Sequence, residues 1–212
     1  MPDLAVDPGR LRRLLRRMID IYSPSGKEEE ILEFCHGYLK RRGLNPLRQE
    51  VDENRYNLLV LPEDGEAQLA LVGHLDTVVA YDLETLGCEE EGERLVGLGA
   101  ADMKAGCAAM IETLVSLKDD HPGLPLALCL VVGEEEDGDG AEALAAEHHF
   151  PWAIIGEPTD LRPCLSHYGY IEAQVLTRGR RRHASLANHQ ENPVQAMLNL
   201  LLRVSQHMAT RP

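Results

Sequence analysis

Long apolar runs are missing from this chain of 212 residues. None approaches the roughly 20 residues that a membrane-spanning helix needs. The opening stretch, MPDLAVDPGRLRRLLRRM, carries no apolar core of the length a secretory leader has. A cysteine framework is missing too. The five cysteines, at 35, 88, 107, 129 and 164, are odd in number, scattered and without a Cys-x-x-Cys pair. They read as reduced thiols of a cytoplasmic protein, neither a disulfide scaffold nor a zinc knuckle. Positive charge is in deficit, with 21 Lys+Arg against 35 Asp+Glu and a formal net charge of −14. That balance argues against nucleic acid or an anionic membrane as a partner held by charge. The sequence shows no internal repeat and no low-complexity segment.

What is present is an ordinary globular mixture, 44% hydrophobic and 26% charged. Leu11, Leu14, Leu15, Met18 and Tyr22 fall at helical spacing, and Arg10, Arg12, Arg13, Arg16 and Arg17 mostly fill a solvated face between them. Ser23-Pro24-Ser25-Gly26 is a turn in which Ser25 or Gly26 can cap a second helix, over about Lys27 to Arg42, that Gly43 stops. Strand-like runs then alternate with helices. Asn57–Leu61, Gln68–Val72, Leu126–Val132 and Ala153–Ile155 are apolar, the last two reading as buried, and Met103–Lys118 and Gly140–Glu147 are helical. The order implies an α/β fold, a sheet flanked by helices on both faces. After Pro163 the pattern changes to a half-exposed strand over Tyr168–Thr177, a basic loop from Arg178 to His183 and an amphipathic helix over Pro193–Met208. This divides the chain into residues 1–162 and 163–212, the second part reading as the start of another domain.

Four polar clusters stand at strand ends or helix starts: Gly73-His74-Leu75-Asp76-Thr77-Val78, Gly97 to Gly106 with Asp102, Gly133-Glu134-Glu135-Glu136-Asp137-Gly138, and Gly156-Glu157-Pro158-Thr159-Asp160. Each has a plain alternative: a structural histidine, an N-cap aspartate, an acidic surface turn or a loop glutamate. Together they supply one imidazole and several carboxylates at the strand ends, where open α/β sheets gather their chemistry. Such a mixed N/O set suits Zn²⁺, with Mn²⁺ or Co²⁺ as alternatives, and there are enough carboxylates for two ions.

In this order and spacing, GHLDTV, GLGAADMKAG, GEEEDG and GEPTD resemble the M20 metallopeptidase family, over about Ser23 to Met197. The resemblance implies a zinc-exopeptidase-like catalytic domain followed by the beginning of an α+β lid that mediates homodimerisation. It implies two divalent ions and hydrolysis of the amide bond of an N-acyl amino acid or small peptide, of deacetylase or desuccinylase type. A dipeptidase or carboxypeptidase, or a non-catalytic metal-binding relative, are the alternatives. His74 would bind one ion, oriented by Asp76; Asp102 would bridge both, and Glu157 would complete the first set. In the acidic run Glu135 would be the general base and Glu136 a ligand of the second ion, with a register one residue earlier, Glu134 and Glu135, left open. His183 would reach the partner subunit's site and hold the oxygen of the scissile carbonyl. The peptide bond after Asp102 would be cis. Family members are longer and supply a last histidine ligand after the lid, so this chain by itself is expected to hold one ion weakly and to turn over little substrate.

Overall fold

Three apolar runs at the centre of the sequence become the centre of a sheet. The computed structural model describes residues 6–81, 86–118, 121, 123–166, 169, 173–180, 183 and 192–210. These divide into two compact units, Met1–Pro163 and Cys164–Pro212.

The first unit opens with helix α1 (Pro8–Ile19). Asp7 caps it by accepting the Arg10 N–H at 2.9 Å, and Leu14, Met18 and Ile19 are its buried side. Tyr22, expected on this helix, lies beyond its end. Helix α2 (Glu29–Arg41) follows with Ile31, Leu32, Cys35 and Leu39 buried. Its N-cap is Glu28, with no side-chain capping bond. Ser25 is not the cap: its hydroxyl donates to Asp76 Oδ2 at 2.6 Å instead.

Strands β1 (Leu47–Glu50), β2 (Tyr56–Val60) and β3 (Leu69–His74) come next, then a two-stranded ribbon of β4 (Glu89–Glu91) and β5 (Arg94–Val96). A wide turn over Ala100–Lys104 leads into helix α3 (Ala105–Leu117). Asp102 and Met103 have non-helical backbone angles there, and the peptide bond between them is cis. The helix therefore begins two residues later than the apolar pattern implied. Strand β6 (Leu126–Val131), helix α4 (Asp139–Glu147) and strand β7 (Trp152–Ile155) complete the unit.

The main sheet has the order β1-β2-β6-β3-β7. β3 runs parallel to both β6 and β7, with His74 opposite Val131 and Val72 opposite Ile155. β2 is antiparallel to β1 and β6. One face packs on α1, α2 and α3 through residues such as Met18, Leu32, Ile111 and Leu128; the other packs on α4 through Leu144, Ala127 and Cys129. The expected sheet between helices is present, and the carboxyl ends of β3, β6 and β7 lie side by side.

Two further expectations fail. β7 is not buried: Trp152, Ile154 and Ile155 are 74%, 53% and 62% exposed, because β7 is the outermost strand of the sheet. Residues 173–177 of the expected Tyr168–Thr177 strand form no strand, and Tyr168 with residues 170–172 lies outside the described residues. β1 and the acidic ribbon β4–β5 had no apolar signal and were not anticipated.

In the second unit, helix α5 (Pro193–Ala209) starts where expected, with Asn192 Oδ1 accepting the Val194 N–H at 3.0 Å. None of its residues is buried.

Candidate metal centre

His74 is the last residue of β3, and its ring is 1% exposed. Its backbone is gripped by sulfur: the N–H points at Met103 Sδ at 3.3 Å, and the Cys107 thiol donates to its carbonyl at 3.1 Å. Nδ1 lies 3.0 Å from the Asp76 carbonyl oxygen and 3.4 Å from Asp76 Oδ1. With a proton on Nδ1, Nε2 is free to offer its lone pair to a cation. Nε2 faces three carboxylates, Asp102 Oδ1 at 3.1 Å, Glu134 Oε2 at 3.6 Å and Glu157 Oε1 at 3.6 Å.

Different elements deliver these groups. Asp102 comes from the wide turn before α3. Glu157 follows β7, and its approach depends on a close crossing of two backbones. A Cβ at Gly106, in the first turn of α3, would collide with the Gly156 carbonyl. Glu134 and Glu135 follow β6, and their position is set by Asp76. That residue is fully buried; its Oδ1 accepts the Glu134 N–H at 3.2 Å and its Oδ2 the Glu135 N–H at 3.0 Å. Asp76 thus touches both the imidazole and the acidic turn.

Among the described residues two overlapping groups of ligand atoms result, His74 with Glu134 and Glu157, and His74 with Asp102 and Glu135, the atoms of each group lying within 4.8 Å of one another. The donor set fits divalent metal: one imidazole nitrogen and clustered carboxylate oxygens are the ligands zinc, manganese and cobalt accept. The electrostatics point the same way. Burial pushes the Glu157 carboxyl up to about 7, and the charges of Asp102 and Glu134 add to that although His74 opposes it. Burial likewise raises Glu135, with Asp102 adding to it. Burial would lower His74, but its hydrogen bond to Asp76 and the charges of Asp76, Glu134 and Glu157 outweigh it and raise the ring to about 9. Crowding of like charge thus favours the protonated form of Glu157 and Glu135 when no cation stands among them, and a divalent ion would remove that pressure. Lys104 is not part of the cluster. It is buried, its ammonium donates to the Ile21 carbonyl at 2.7 Å, and burial lowers its pKa to about 8.

Of the residues singled out from sequence, His74, Asp76, Asp102, Glu135 and Glu157 come together here. Glu136 does not. It is in neither ligand group and lines a polar cavity of about 280 Å³ with Ser25, Arg55 and Asp137. The turn spends its first two carboxylates on the site, because Asp76 anchors the N–H groups of residues 134 and 135. Glu134 and Glu135 are thus the two carboxylates of the acidic run that stand in the ligand groups. His183 is an exposed residue of the second unit. Ser25, which donates to Asp76, was missed as a site residue; its only sequence signal was proximity to a turn.

Residues 70–207 match the profile of Peptidase family M20/M25/M40. An acetylornithine deacetylase of Edwardsiella ictaluri is 32% identical over 181 residues, covering 82% of this chain and 47% of that protein. A protein of Aspergillus flavus named "Probable carboxypeptidase" is 29% identical over 210 residues, 90% of this chain and 49% of its own. The chain thus spans about half the length of the curated relatives it matches. A tripeptidase from Staphylococcus aureus shares the fold with a TM-score of 0.59 at 24% identity, over 71% of this chain and 43% of that one. An M20 family metallo-carboxypeptidase from Sulfolobus solfataricus shares it at 0.54 and 15%, over 69% and 37%. The profile spans all four motifs, and the sheet carries their side chains to one place: this chain belongs to Peptidase family M20/M25/M40.

Proposed function

We propose that the protein hydrolyses the amide bond of an N-acyl amino acid or a small peptide, using two divalent metal ions, and that the first unit carries the metal-binding half of the site. The observation that carries this reading is the convergence of Asp102, Glu134 and Glu157 on His74 Nε2 within 3.6 Å, with His74 held from behind by Asp76. His74, Asp102 and Glu157 would hold one ion, and Asp102 and Glu135 the other. When bound, the ions would lower the pKa of a water toward about 7 and would polarise the scissile carbonyl. Glu134 would act as general base toward the attacking water and would return the proton to the departing amine, a role that asks for a carboxylate within hydrogen-bond reach of the reacting groups. His183 is the candidate to hold the carbonyl oxygen from a partner subunit, in a homodimer built through the lid whose beginning is the second unit.

The deacylase reading has the acetylornithine deacetylase relative in its favour, and a carboxypeptidase reading has the Aspergillus relatives. Zinc content measured together with hydrolysis of N-acetylornithine and of a C-terminally blocked and unblocked dipeptide pair separates them. Release of acetate favours the first, and cleavage of only the unblocked dipeptide the second. Failure to bind zinc at micromolar concentration overturns the metal site. Two tightly held zinc ions with no turnover leave the non-catalytic relative.

A further inference from the structure

The acidic turn is held from a second side, by a residue no motif marks. Arg55 closes the tight loop before β2. Asp52 Oδ1 accepts the N–H groups of Asn54 and Arg55, both at 2.8 Å, and Asp52 Oδ2 accepts Arg55 Nε at 2.7 Å. The loop therefore aims the guanidinium. Its far end pairs with both carboxylate oxygens of Asp139, with Nη1 at 3.3 Å from Oδ1 and Nη2 on Oδ2. Nη1 is also 3.7 Å from Oε1 of Glu28, a carboxylate with no solvent exposure. Asp139 is the first residue of α4 and stands at the end of the acidic turn. Gly133 stands at the beginning, with φ +70°, and a Cβ there would collide with Asp139 Oδ1 and Arg55 Nη1. The two ends are tied together by the Gly138 N–H on the Gly133 carbonyl at 2.7 Å. One guanidinium thus packs against both ends of the turn, while Asp76 takes the N–H groups in its middle.

We propose that Arg55 is a positioning residue of the hydrolytic site: it fixes the turn that carries Glu134 and Glu135, and offsets the charge of the carboxylates gathered around it. The inference rests on the function proposed above for those two glutamates. A planar guanidinium reaches Asp52, Asp139 and Glu28 at once; a lysine ammonium at the end of a flexible stem does not. An ordinary surface ion pair between a loop and a helix would do little for stability and nothing for metal.

The test compares wild type with Arg55→Gln, Arg55→Lys and Asp139→Asn. Amide hydrogen exchange is followed by mass spectrometry in the metal-free protein, and zinc affinity by calorimetry. In Arg55→Gln we expect exchange in residues 133–138 to quicken at least about tenfold while β3 and β6 keep their protection. Zinc should bind about 10–100-fold more weakly, the cost of losing a group that orients ligands. Arg55→Lys should fall between this variant and wild type. Should Arg55→Gln fail to fold because Glu28 is left alone, Asp139→Asn removes the same contact from the turn's side and should give the same local pattern. Unchanged exchange in the turn overturns the proposal, and so does a rise shared equally by β3 and β6, which would make Arg55 a staple of the whole fold. If wild type binds no zinc, the metal-site reading fails on its own, and the exchange pattern still decides whether Arg55 holds the turn.

Discussion

β6 and β7 are both short apolar strands, both parallel neighbours of β3, and both hand a glutamate to the same site. Yet β6 is sealed between β2 and β3, with Leu128, Cys129 and Leu130 fully buried, while β7 is an outer strand with Ile154 and Ile155 more than half exposed. Their turns differ in the same sense. The turn after β6 is pinned by Asp76 and Arg55. The turn after β7 is fixed by the Gly156 N–H on the Val72 carbonyl at 3.2 Å and by the tight pass of Gly106. Apolarity alone does not tell a central strand from an edge strand; the order of strands in the sheet decides, and that order is set by contacts far apart in the chain.

The sharpest way to separate the two turns is to neutralise one carboxylate from each. Glu134→Gln should leave zinc binding and fold intact and reduce turnover by about 10²–10⁴-fold, since an amide cannot accept the water's proton. Glu157→Gln should instead weaken zinc. Calorimetry beside the rate assay distinguishes them, and weaker zinc in Glu134→Gln would show that Glu134 is a ligand and that the base lies elsewhere.

Next in size is pH. Zinc needs His74 neutral and Glu157 ionised, but without metal these groups hold protons up to about 9 and about 7. Apparent affinity should therefore climb about 100-fold per unit below pH 7, where two protons must leave, and about tenfold per unit from there to pH 9. The stability of the metal-free protein should show the opposite trend. Both pKa values are raised by folding, so both groups stabilise the fold at low pH. Glu157's share is lost as pH rises through about 7 and His74's as it rises through about 9. Melting temperatures with zinc and with chelator should diverge as pH rises; parallel curves would mean that neither group faces the ion.

Smaller effects test burial itself. Leu128→Ala in β6 should cost about 2–5 kcal/mol, as a fully buried leucine does. Ile154→Ala in β7 should cost less, about 1 kcal/mol, because half of its side chain already meets water. Denaturant unfolding checks both, and equal losses would mean that β7 is covered in solution.

Much of this was legible in the sequence. The runs at Tyr56–Val60, Leu69–His74 and Leu126–Val131 announce themselves because a strand covered on both faces can be apolar at every position. His74 and Asp76 stand at the end of one such run, Glu157 follows the shorter run of β7, and Asp102 stands at a helix start. The acidic run was harder. Four consecutive carboxylates look alike, and only the two N–H bonds to Asp76 distinguish residues 134 and 135 from 136. β1 escaped notice because Leu47–Glu50 is largely polar, and its one buried residue, Gln49, is satisfied through the Ala143 carbonyl and Asn57. Arg55 carried no signal, since its partners are 84 residues away at Asp139 and 27 residues back at Glu28.

The sulfur grip on His74 has a consequence of another kind. Met103 and Cys107 hold the two sides of that residue's backbone, and neither is exposed to solvent. Burial drives the Cys107 thiol well above its ordinary pKa, so it stays protonated and unreactive. Peroxide can reach these atoms only when the end of β3 opens. The pace at which they become sulfoxide and sulfenic acid is therefore a clock for that opening, and bound metal, by keeping the strand end shut, should slow it.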